Sequence, residues 1–193
     1  MKVLSSALLV GTLLLSACAV ATGPVEVTRF NRASDGIGYG QGSFTVAEAP
    51  GIGLTSQPYL SAVSRELQRI GYSESGTGSD VIAQVGVEVV DGLAPPRQSP
   101  VSVGVGGSTG SYGSGLGLGI GINLGGGPKA SVTTTLSVRL VRRSDNLVIW
   151  EGRAAQVAKK GSPAAQPGIA ASKLAAALFK DFPGKSGETI SVP

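Results

Sequence analysis

Residues 131–157 read SVTTTLSVRLVRRSDNLVIWEGRAAQV. In the first part, Val132, Thr134, Leu136, Val138 and Leu140 alternate with Ser131, Thr133, Thr135, Ser137 and Arg139. A period of two puts the apolar set on one side of a strand and the polar set on the other, so one side is buried and one is wet. Arg143-Ser144-Asp145-Asn146 is a cluster of turn formers. Beyond it LVIWEGRAAQVA is extended again, and two such runs across a short polar turn predict an antiparallel hairpin.

The same alternation appears upstream. Asp80 leads into VIAQVGVEVV, where Val81, Ala83, Val85, Val87 and Val89 share one side and Gln84, Gly86 and Glu88 the other. Shorter strands are expected at Val25–Phe30 and Ser43–Val46. Between them and Asp80, Leu60, Val63, Leu67 and Ile70 recur at spacings of three and four, which predicts a helix. Thr55 or Ser56 suits its cap, Pro58 its first turn and Gly71 its stop. A second helix is expected from Pro163 or Pro167, packing Ile169, Leu174, Leu178 and Phe182 and ending at Pro183-Gly184. Cleanly alternating strands and two one-sided helices predict an α+β, two-layer sandwich. Its antiparallel sheet has four to five strands, with both helices on one face, in a single domain over residues 25–193.

Residues 101–127 interrupt this pattern with a glycine-rich insert. Within it, Leu116, Leu118, Ile120, Ile122 and Leu124 alternate with glycine or Asn123. Each glycine inside a helix costs about 1 kcal/mol relative to alanine, so an extended ribbon is favoured. Its greasy side could fold back on the domain, touch a lipid surface or pair with another strand edge.

At the N-terminus Lys2 precedes an apolar run from Val3 to Leu15, which closes on Ser16 and Ala17. That is the layout of a secretory signal over residues 1–17, cleaved between Ala17 and Cys18. The run falls short of the about 20 apolar residues a spanning helix needs, and Ser5, Ser6 and Thr12 interrupt it. Exported chains usually carry cysteines in pairs, yet Cys18 is the sole cysteine of the 193 residues. One reading is an ordinary thiol. The other starts from Leu15-Ser16-Ala17-Cys18, which resembles the lipobox of bacterial lipoproteins and would make Cys18 the acylated first residue. Several acyl chains, at about 0.8 kcal/mol per buried methylene, hold a domain on a membrane. Residues 18–24 then form a short tether, reaching roughly 20 Å at about 3.3 Å per residue.

The chain has no histidine, which removes the commonest general base and metal ligand, and every Ser-His or Cys-His arrangement. Gly106-Gly107-Ser108-Thr109-Gly110 fits the nucleophile-elbow pattern by chance, since no histidine exists to activate Ser108. No serine stands three residues before a lysine. The scattered carboxylates Asp80, Asp91, Asp145, Glu151 and Asp181 leave an envelope hydrolase with an unidentified carboxylate pair as the alternative. No catalytic, cofactor-binding or metal-ligating residues are assigned. Lys and Arg number 16 against 12 Asp and Glu, dispersed, with no basic stripe for nucleic acid.

The order of parts then carries a resemblance. The lipobox, a first strand, a helix, the Asp-led strand, the glycine-rich insert, Val148-Ile149-Trp150-Glu151-Gly152 and the closing Phe179-Lys180-Asp181-Phe182-Pro183 resemble the bacterial lipoproteins catalogued as domain of unknown function four-one-three-six. The resemblance spans roughly residues 24–184 and implies an envelope lipoprotein of unsettled activity, with no catalytic residues to carry over. Trp150 is expected in the core against the closing helix. Ala19, where the Gram-negative sorting rule would need Asp for retention, resembles the signal for the outer membrane, facing the periplasm. In a single-membrane cell the same anchor leaves the protein on the outer face of the cytoplasmic membrane. The expected activity is a non-enzymatic binding or structural module, joined to the membrane by acyl chains and to an envelope protein or cell-wall partner. The candidate binding face is the polar side of the sheet: Gln84, Glu88, Thr133, Thr135 and Arg139. Self-association through the glycine ribbon is a third possibility.

Overall fold

A computed structural model describes residues 23–33, 36–49, 56–94 and 129–193. The signal, Cys18, Thr55, Ser108 and the insert at 101–127 lie outside the described residues. The hairpin predicted from residues 131–157 is present as β5 (Lys129–Arg142) and β6 (Leu147–Lys159), joined by a turn in which Asn146 has a φ of 54°. Asp145 fixes that turn: its carboxylate accepts from the Leu147 N–H at 3.2 Å and pairs with Arg142 at 2.7 Å. Strand β4 (Val81–Ala94) pairs antiparallel with β5 along its whole length, from Val81 opposite Arg142 to Ala94 opposite Lys129.

The sheet has seven strands in the order β3-β2-β4-β5-β6-β1-β7 and is mixed, where four to five antiparallel strands were expected. Here β1 is Val25–Asn31, β2 is Ser43–Glu48, β3 is Ser73–Glu74 and β7 is Thr189–Val192. Helix α1 (Gln57–Arg69) carries the chain back after β2, so β2 and β4 run parallel, the pairing a crossover connection allows. Strands β3 and β7 are the edges, with two and four residues; edges this short offer little template for pairing with other chains.

The register puts Val27, Val85, Val138 and Leu140 on one face, and these belong to a single core with Tyr59, Val63 and Leu67 of α1 and Leu174 and Leu178 of α2 (Pro167–Leu178). Both helices therefore cover the same face, as a two-layer arrangement requires. Ser56 occupies the cap position of α1, but its hydroxyl donates to the Glu48 carboxylate rather than capping the helix.

Helix α2 ends four residues earlier than its spacing suggested. Its buried surface is mostly alanine, while Ile169 is exposed instead of core. Phe182 sits in the turn beyond, before a cis bond to Pro183. Arg29 explains the stop. Buried on β1, its Nε donates to the Leu178 carbonyl and its Nη2 to that of Ala177, both at 2.9 Å, satisfying helix-end acceptors. Burial pulls the guanidinium below its ordinary value, and Asp181 and Glu188 act against that shift.

Trp150 is 1 % exposed and stacks on Phe179, centroids 5.3 Å apart, while its indole N–H donates to Pro183 O at 2.9 Å. Gly152 leaves room for this ring: a Cβ there would strike Trp150 and Leu178. One extra residue in β6 between the Leu140 and Val141 pairings makes a bulge at Ile149, so Ile149 and Trp150 are both buried despite being neighbours.

Candidate functional site: the open face of the sheet

The opposite face carries neither helix. Its rows follow from register: Gln84–Arg139–Glu151–Phe30, then Gly86–Ser137–Arg153–Thr28, then Glu88–Thr135–Ala155–Glu26, then Val90–Thr133–Val157. The five candidate residues Gln84, Glu88, Thr133, Thr135 and Arg139 therefore share one face. Glu88 and Arg139 are exposed, and Gln84 and Thr133 half-buried.

Thr135 differs. It is on this face yet only 7 % exposed. Arg153 of β6 reaches Glu88 of β4 at 3.4 Å, and since β5 lies between those strands, this ion pair passes over the central strand beside Thr135. A short side chain beneath two long ones is covered. Arg139 likewise pairs with Glu151 at 3.5 Å. All four charged groups are at least half exposed, so such pairs contribute about 0–1 kcal/mol to stability and remain available to exchange for a partner's charges.

Glu151, Arg153 and Phe30 were missed as members of this face. Extending the alternation across the hairpin turn finds the first two, and Phe30 shares the parity of Glu26 and Thr28 in β1, although its apolar side chain argues for the core. At that end Phe30, Arg32, Val148 and Glu151 line a shallow depression of about 140 Å³.

The carboxylates are engaged. Asp80 accepts from the Ser43 N–H at 2.8 Å and the Ser43 hydroxyl at 2.7 Å, which hold it below the usual carboxylate range. The Arg142 guanidinium does the same to Asp145, and Asp91 pairs with Lys160 at 2.6 Å. Among the described residues no group of three or more Cys, Asp or Glu side chains could hold a metal ion, and no helix is long and apolar enough to cross a membrane.

The chain is similar to an uncharacterized protein of Zymomonas mobilis, 48 % identical over 61 residues, covering 32 % of this chain and 23 % of that one. It thus spans about a quarter of that relative's length. Among solved structures, a PDZ domain protein from Parabacteroides distasonis aligns with 88 % of this chain and 39 % of its own, at 14 % identity and a TM-score of 0.49. A PelC dodecamer from Paraburkholderia phytofirmans aligns over 84 % of this chain and 99 % of its own, at 12 % identity and 0.47. The match that places the chain covers residues 28–184, from β1 through the Phe179–Gly184 turn: this protein belongs to the family described as domain of unknown function DUF4136.

Proposed function

We propose that this chain is a cell-envelope lipoprotein, anchored through acyl chains on Cys18, whose open sheet face binds an envelope protein or cell-wall partner without catalysis. The supporting observation is the division of the sheet: one face is closed by two helices, and the other presents charged, hydroxyl and apolar side chains in aligned rows. A rigid face of this kind suits recognition, because its groups are positioned before a partner arrives. The Leu15–Cys18 sequence supports the anchor, and Ala19 supports the outer membrane, facing the periplasm, as its location.

The hydrolase alternative has less support. A general acid at neutral pH needs a raised carboxyl pKa, whereas Asp80 and Asp145 are held low. The test is the intact mass of protein extracted from membranes. The reading expects loss of residues 1–17 and acyl chains on Cys18; a free thiol on a leader-bearing chain would contradict it.

A further inference from the structure

The polypeptide enters the described structure at Gly23, and the register shows which end of the sheet that is. Val25 faces Gln156, Gln156 faces Thr134, and Thr134 faces Val89, so the entry lies toward the end of the sheet at which β4 and β6 finish. A Cβ on Gly23 would stand 3.6 Å from the Val157 carbonyl, and Lys173 of α2 donates to the Gly23 carbonyl at 2.7 Å.

That end gathers most of the exposed large apolar side chains among the described residues. The exposed large apolar side chains among the described residues are Phe30, Val89 (56 %), Val90 (50 %), Val157 (52 %) and Ile169 (42 %). All but Phe30 lie toward this end: Val89 in the row that finishes at Val25, Val90 and Val157 in the next row on the open face, with β4 and β5 running on to Ala94 and Lys129, and Ile169 one helical turn before Lys173 on the same side of α2. Lys159, Lys160 and Lys173 stand among them, against Asp91, which pairs with Lys160, and Glu26 one row further in. Exposed valines and an isoleucine with the exposed Lys159 and Lys160 nearby match an anionic bilayer surface, where apolar groups enter the headgroup layer and ammonium groups meet phosphates.

We infer that this end of the sheet, centred on Val90, Val157 and Ile169, is seated on the anionic lipid surface to which Cys18 is anchored. The inference rests on the acylation proposed above. Chain length is the argument for lipid over other occupants. Only residues 19–22 separate Cys18 from Gly23, a reach of at most roughly 17 Å at about 3.3 Å per step. An acylated Cys18 therefore keeps this end within that distance of the headgroups, nearer than the opposite end of the sheet. The sheet then stands away from the membrane with the Arg143–Asn146 turn outermost and the open face accessible from the side.

The experiment uses full-length acylated protein in phosphatidylethanolamine–phosphatidylglycerol vesicles, spin-labelled at Val90→Cys, Val157→Cys or, as reference, Asp145→Cys. The oxygen-to-nickel-chelate collision ratio is expected to be several-fold higher at positions 90 and 157 than at 145. Equal, water-like ratios at all three sites on protein shown by mass to be acylated would overturn the inference while leaving the anchor intact. Shielding of positions 90 and 157 from both relaxing agents with or without vesicles would also overturn it, since the chain itself would then cover the patch. A mass lacking acyl chains would instead overturn the anchor and, with it, this seating.

Discussion

The two faces of one sheet are made by the same strands and the same alternation, yet they solve different problems. On the helix-covered face the core side chains are fixed by several elements. Trp150 meets Phe179, Phe182 and the Pro183 carbonyl, and Arg29 meets the end of α2. On the open face the charged residues meet one another across strands in water. Changes on the first face should therefore be felt as lost stability, and changes on the second as lost recognition with the fold intact.

The strongest challenge to that contrast is Trp150→Ala. Emptying the site of a buried tryptophan costs about 3–5 kcal/mol, read as a lower denaturation midpoint in urea; a loss below about 1 kcal/mol would show that the Trp150 cluster is not the keystone of this face. Next is Arg29→Met, which keeps the apolar stem but removes the guanidinium donor from the Leu178 carbonyl and from that of Ala177, which keeps only the longer bond from the Lys180 N–H. About 1–3 kcal/mol should be lost, with faster amide exchange confined to the last turn of α2.

A third test lies at the seam between β2 and β4, where Ser43 holds Asp80. The folded carboxyl is depressed relative to its unfolded value near 3.9, so its contribution is full above that value and disappears as pH falls through the lower, folded one. Wild type should thus lose stability toward acid more steeply than Asp80→Asn; parallel acid limbs in thermal melts at a series of pH values would reject the role given to Ser43.

The smallest effect sharpens the comparison most. Replacing Glu88 and Arg139 together by alanine should move stability by no more than about 2 kcal/mol and typically well below it, since each change removes one exposed ion pair worth about 0–1 kcal/mol. A larger loss in chemical denaturation would mean that the open face is structural.

The legible parts of the fold were those where local periodicity equals burial. The β5–β6 hairpin, β4 and α1 all follow from alternation or three-and-four spacing, and Trp150 follows from its size. Strand direction is not a local property, so nothing in SFTV announced that α1 would return the chain parallel to β2. Strands of two and four residues carry too few side chains for a period. The end of α2 was obscured because Leu174, Leu178 and Phe182 keep helical spacing, while the stop comes from Arg29, far away in sequence, and from Asp181 at a φ of 53°. For the open face, alternation grouped the five candidate residues, but Thr135 is covered by an ion pair between two other strands, which no single-strand pattern contains.

The most direct measurement is photo-crosslinking in living cells with a benzophenone side chain at Gln84 or Arg139 on the open face, or at Ser61 on the exposed side of α1. The account predicts one discrete adduct from positions 84 and 139, lost when Glu88 is also replaced by Lys, and none from position 61. Equal yields from both faces, or an adduct from Ser61 alone, would contradict it.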